Sequence, residues 1–138
     1  MKVVIDTNGV LRSIPNKGDY RWLIDAWKKQ VFVWVISNEI LTEYIEIIAF
    51  NYSEQAAEIT MKTLLTSPNH LRQESYYKWQ LVENDRDDNK FVDCAIASGA
   101  DYLVTNDGHI LDLLKIKDLF PPIPIVTFEQ FRRIIKYD

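Results

Sequence analysis

Four acidic residues, Asp6, Glu43, Asp88 and Asp107, occupy positions where an α/β protein performs chemistry. Asp6 ends the apolar run of "VVIDTNGVL", and a buried strand has no structural use for a carboxylate at its tip. Carboxylates gathered without Arg or Lys repel one another unless a cation sits between them. Hard oxygen donors suit magnesium or manganese, which accept a few carboxylates and keep waters for the substrate. Such ions activate water, polarise a phosphoryl oxygen and neutralise a leaving group, so phosphodiester hydrolysis is the matching reaction. It needs no side-chain nucleophile, and the chain offers no evident Ser/His or Cys/His pair.

Each acid also has a local explanation. Asp6 can terminate the strand and cap the following turn. Glu43 shares a helical face with Glu39, Thr42 and Glu46, which reads as solvated surface. Asp88 belongs to a turn with Asp85 and Asp87, any of which can cap a helix. Asp107 precedes Gly108 and a short helical stretch, an ordinary N-cap position. Only convergence of the four distinguishes a site from four caps.

Convergence depends on the elements that carry them. "KVVID" (2–6) reads as a strand, "YRWLIDAWKKQ" (20–30) as a helix and "VFVWVIS" (31–37) as a second strand. "NEILTEYIEIIAF" (38–50) has helical period with Asn38 as its N-cap, and Ser53 opens another helix that "SPNH" breaks. "YYKWQLV" (76–82) is expected as a third strand. The helix "KFVDCAIASG" is ended by Gly99, "YLVT" (102–105) is a fourth strand, and "HILDLLK" is a short helix. "IPIVT" (123–127) is a late strand, followed by "FEQFRRII" behind a Thr127/Gln130 capping box. Alternating strands and helices predict an α/β fold around a parallel sheet, with its ligand crevice beyond the carboxyl ends of the strands. If strands one, two and four are neighbours, the four acids share one rim.

Composition narrows the alternatives. The 138 residues predict one domain spanning 1–138, and no apolar run nears the roughly 18–20 residues of a membrane span. With no signal-peptide pattern at the N-terminus, a soluble cytoplasmic protein is expected. Cys94 is the sole cysteine, which excludes an intrachain disulfide and a cysteine zinc site, and its apolar context predicts an inert buried thiol. His70 and His109 show no metal-ligand spacing. A net charge of −4 argues against broad electrostatic binding to nucleic acid, unless bound cations reverse the potential at the acids. The chain lacks a P-loop and a GxGxxG fingerprint, and Asn8 breaks the DxD of a haloacid-dehalogenase-type phosphatase.

"VVIDTNGVL", "ISNEILTEY" and "DDNKFVDCAIASGADYLVTND" together resemble the PIN-domain nucleases, and more narrowly the prokaryotic toxin components of toxin–antitoxin systems. The resemblance runs from residue 2 to about 131. It implies a three-layer α/β/α PIN-like fold with a central parallel sheet, and Mg2+- or Mn2+-dependent endoribonuclease activity. Cleavage would leave a 5′-phosphate and a 3′-hydroxyl. Asp6, Glu43, Asp88 and Asp107 match the family's acids, with Asp6, Asp88 and Asp107 as metal ligands. Glu43 completes the shell or orients the attacking water, and Asn8, Thr105 and Asn106 are expected to support the ligands. Asp87 or Asp93 could stand in for Asp88, although Asp93 lies about 140° further around a helix. Gly9 replaces a larger apolar residue common in the family and is expected to loosen the strand end. The resemblance further implies an RNA substrate, an antitoxin protein and a homodimer. Two other readings use the same fold: a catalytically silent interaction module, and a structure-specific DNA nuclease.

Overall fold

A computed structural model describes residues 1–137. Five parallel strands form one sheet in the order β3-β2-β1-β4-β5, with β1 at Lys2–Ile5, β2 at Val33–Ile36, β3 at His70–Arg72, β4 at Tyr102–Val104 and β5 at Ile125–Val126. The helices are α1 (Thr7–Ser13), α2 (Arg21–Lys28), α3 (Asn38–Asn51), α4 (Glu54–Thr66), α5 (Asn89–Ser98), α6 (Gly108–Leu111) and α7 (Phe128–Ile134). Together they make the expected three-layer α/β/α fold. Val3, Val4 and Ile5 are fully buried, as are Val35, Ile36, Leu103 and Val104. Such unbroken apolar runs belong to parallel strands covered on both faces. No helix of the described residues is long and apolar enough to cross a membrane.

The centre of the sheet positions the acids. β1 lies between β2 and β4, with Val4 opposite Val35 on one side and Leu103 on the other. The carboxyl ends of these three strands therefore open onto one rim. Tyr44, fully buried on α3, donates its hydroxyl to the Ile5 carbonyl and accepts Trp34 Nε1 at 3.3 Å. That contact ties α3 to the last peptide before Asp6.

Three expectations require correction. Segment 76–82 is not a strand, because Gln80 has φ +54° and side chains take its backbone groups instead. Asp93 accepts Trp79 N–H at 3.2 Å, while Asn89 bonds Val82 N–H and C=O at 2.8 and 3.0 Å. The free edge of β2 is filled by His70–Arg72, directly after α4. Second, Ser37 rather than Asn38 caps α3, accepting Ile40 N–H at 3.2 Å. Third, Gly9 lies within α1, a short helix that the sequence pattern left unread. A Cβ there would come within 2.2 Å of the Phe128 ring, so the glycine admits α7 against α1 and does not loosen β1.

Candidate active site

The local reading of Asp6 holds, and the residue is also tied to a second acid. It caps α1, with Oδ1 accepting Thr7 N–H at 2.7 Å, and its Oδ2 accepts the Thr105 hydroxyl at 2.7 Å. Burial, the largest influence, raises its pKa; the bond from Thr105 opposes this, and Asp107 and Glu43 add to it. Asp107 likewise caps α6, its Oδ1 accepting His109 N–H at 2.8 Å and Ile110 N–H at 3.3 Å. Thr105 joins the two acids, since its Oγ1 also accepts Asp107 N–H at 2.9 Å. Local capping fixes each carboxylate, and the sheet brings the capped turns together.

Glu43 is only partly exposed, unlike Glu39, Thr42 and Glu46 on the same helix. Thr7, next to Asp6, donates its hydroxyl to Glu43 Oε2, and Lys90 Nζ lies 2.8 Å from Oε1. The Lys90 side chain is 13% exposed. The acids are thus not free of a compensating cation: Lys90, at the start of α5, supplies one at Glu43.

Asp88 has the opposite surroundings. It ends a single 3-10 turn, Arg86–Asp88, is 9% exposed, and makes no side-chain capping bond. Its Oδ2 is buried without a hydrogen-bond partner among the described residues. Burial first, then the charge of Asp107 and a carboxyl–carboxyl hydrogen bond with it when one of the two is protonated, with Asp85 and Asp6 beyond, push its pKa up to about 8. A buried carboxylate oxygen lacking a partner is costly unless a proton or cation meets it. This observation fits a divalent cation to the site.

The alternatives to Asp88 point elsewhere. Asp87 is exposed, and Asp93 is buried against Trp79 N–H, with Glu39 and Lys78 as its charged neighbours. Of the supporting residues expected, Thr105 touches Asp6 directly. Asn106 turns away: its Nδ2 donates to the Tyr20 hydroxyl at 2.8 Å and its Oδ1 accepts Phe128 N–H at 3.2 Å, pinning the turn that carries Asp107. Asn8 is exposed. Cys94 is buried and its pKa is pushed up to about 12, chiefly by burial, so the thiol is inert.

Two further ligand candidates went unread in the sequence. Asp85, Asp88 and His109 place one ligand atom each within 4.8 Å of one another, a group able to coordinate a divalent metal. Asp85 lies three residues before Asp88 and His109 two after Asp107, but neither spacing is a motif. Lys90 was hidden in the same way.

The profile of the family described as "PIN domain" matches residues 2–109. Among solved structures, VapC20 of Mycobacterium tuberculosis, a sarcin–ricin-loop-cleaving toxin, superposes with TM-score 0.63 at 14% identity, over 80% of this chain and 94% of that one. VapBC2 of Rickettsia felis, bound to a DNA fragment from its promoter, gives TM-score 0.64 at 16% identity, over 93% and 99%. At such identities the likeness is one of fold. No curated protein matches the chain significantly by sequence.

Proposed function

Because the chain belongs to the PIN-domain family, we propose that it is a metal-dependent endoribonuclease, the toxin of a toxin–antitoxin pair. The observation that carries the reading is the buried, unpartnered Asp88 Oδ2 facing Asp107. A silent interaction module would gain nothing from keeping a carboxylate in that state.

In this reading Asp6, Asp88 and Asp107 hold Mg2+ or Mn2+. The ion, when bound, supplies an acidified water and neutralises charge at the phosphate. Thr105 fixes the distance between Asp6 and Asp107 through its two hydrogen bonds. Glu43, oriented by Thr7 and Lys90, accepts a hydrogen bond from the attacking water and aims it. Lys90 also lines a polar cleft of about 590 Å3 with Lys78 and Arg86, but Glu39, Glu83, Asp87 and Asp93 line it too, so the cleft is not a basic track for a phosphate backbone. Of the similar folds, VapC20 is by name a sarcin–ricin-loop-cleaving toxin, which supports an RNA substrate here; an antitoxin partner and a homodimer are proposed from the family resemblance.

The test uses purified protein and labelled RNA, with and without Mn2+ or Mg2+, beside an identically prepared Asp6→Asn variant. Metal-dependent cleavage lost in the variant is the expected result. Equal cleavage by both proteins would overturn the assignment of the site. Cutting of DNA in preference to RNA would replace the substrate.

A further inference from the structure

His109 and Asp85 lie outside the four acids, yet each places a ligand atom within 4.8 Å of one on Asp88. Asp85 is oriented by its own turn: Oδ1 accepts Asp87 N–H at 3.2 Å, and Oδ2 is left 3.8 Å from His109 Nδ1. The His109 backbone N–H is fixed on Asp107 Oδ1 at 2.8 Å, and its Nδ1 lies 4.0 Å from that oxygen. Donors around a six-coordinate ion at about 2.0–2.1 Å lie about 3 Å apart when adjacent and about 4 Å apart when opposite. The 3.8 Å from His109 Nδ1 to Asp85 Oδ2 lies near the spacing of opposite donors, whereas Asp107 Oδ1, at a similar distance and already held by two backbone N–H groups, cannot be opposite it as well.

A surface ion pair between His109 and Asp85 is the plainer explanation of their proximity. Such a pair contributes at most about 1 kcal/mol and says nothing about Asp88. Asp88 is the independent observation: a carboxylate nine-tenths buried, with one oxygen unpartnered and grouped with both donors. Imidazole is a softer donor than carboxylate, and its presence favours Mn2+ over Mg2+, which prefers an all-oxygen shell.

We infer that Asp85 and His109 join Asp88 in binding the divalent ion, and that the imidazole biases the site toward Mn2+ over Mg2+. The inference rests on the metal-dependent reading above. It concerns the ion's identity and the shell on one flank of the site.

The test is calorimetric titration of the wild-type chain with MnCl2 and with MgCl2, repeated on His109→Gln and Asp6→Asn. Pulsed electron paramagnetic resonance of the Mn2+-loaded wild type is run alongside. His109 is exposed and its backbone bond does not involve the ring, so the variant keeps the fold; thermal melting verifies this. The wild type is expected to bind Mn2+ more tightly than Mg2+. His109→Gln should narrow that preference by about tenfold, and the wild-type spectrum should carry a nitrogen coupling that the variant lacks. An unchanged preference with no nitrogen coupling overturns the inference. If Asp6→Asn still weakens binding in that case, the metal site itself stands. A wild type that binds neither ion overturns both.

Discussion

The two flanks of the acid cluster solve the same electrostatic problem in opposite ways. On the α3 flank Glu43 is neutralised by the protein itself, with Thr7 on one oxygen and Lys90 on the other. On the flank formed by the 3-10 turn and α6, Asp88 is more deeply buried, faces a second acid, Asp107, and has an oxygen that no donor of the described residues meets. The first flank is complete as folded. The second becomes complete only when a proton or a cation arrives, so in the proposed function dependence on metal is concentrated there. Glu43, with both oxygens engaged, is better suited to orient water than to hold an ion.

Breaking the incomplete flank should have the largest effect. Asp88→Asn is expected to lower metal-dependent RNA cleavage by roughly 100- to 1,000-fold or more, measured as single-turnover rates at saturating Mn2+. The same variant should melt at a higher temperature than the wild type in EDTA at pH 8, because the neutral amide removes a buried charge. A variant that loses activity and also stability would mean that Asp88 serves the fold.

The second prediction follows from the raised pKa of Asp88. In the metal-free protein, unfolded Asp88 ionises near the ordinary 3.8 and the folded residue only near 8. Between those values the unfolded state releases its proton first, so this residue's contribution to stability falls as pH rises from about 4 to about 8. Melting curves across that range should show the decline, flattened in Asp88→Asn and reduced by Mn2+. At limiting metal, cleavage should rise through the same window as the carboxylate becomes available.

Removing the cation on the complete flank makes it resemble the other. Lys90→Met leaves Glu43 partly buried without its counter-charge and should cost about 1–3 kcal/mol, read by urea or thermal unfolding. Adding Glu43→Gln should recover most of the loss. An additive double variant would show that the pair is not coupled.

The smallest change acts between the flanks. Thr105→Val keeps the shape but strips the hydroxyl that serves Asp6 and Asp107, leaving both groups short of a partner at a cost of about 1–2 kcal/mol. Because that bond opposes the raised pKa of Asp6, its loss should move half-maximal metal binding to higher pH. Metal titrations at several pH values measure the shift.

Much of this was legible in the residues, and the boundary follows interaction range. The Ser53 cap, the Thr127/Gln130 capping box and the left-handed Gly99 that ends α5 are contacts within a turn or two, so local residue types determine them. The apolar runs of β1, β2 and β4 dictated a sheet buried on both faces, and the acids at or just beyond the ends of β1 and β4 followed from it. Asp6 and Asp107 were legible because each stands at or just beyond the end of an apolar strand, although α1, the helix that Asp6 caps, was not.

What the sequence left open depends on partners distant along the chain. Segment 76–82 has the residues of a strand, but the edge it would join is taken by His70–Arg72, and Asn89 and Asp93 satisfy its backbone instead. Gly9 looked like a weak point until Phe128 proved to occupy its place. Lys90 beside Glu43, and His109 beside Asp85 and Asp88, share no spacing with their partners. The chain by itself determined which carboxylates stand at strand ends, because caps and periodicity are local. The tertiary structure alone decided which of them is neutralised and which is left wanting a cation, because a charge's environment is set by whatever the fold packs against it.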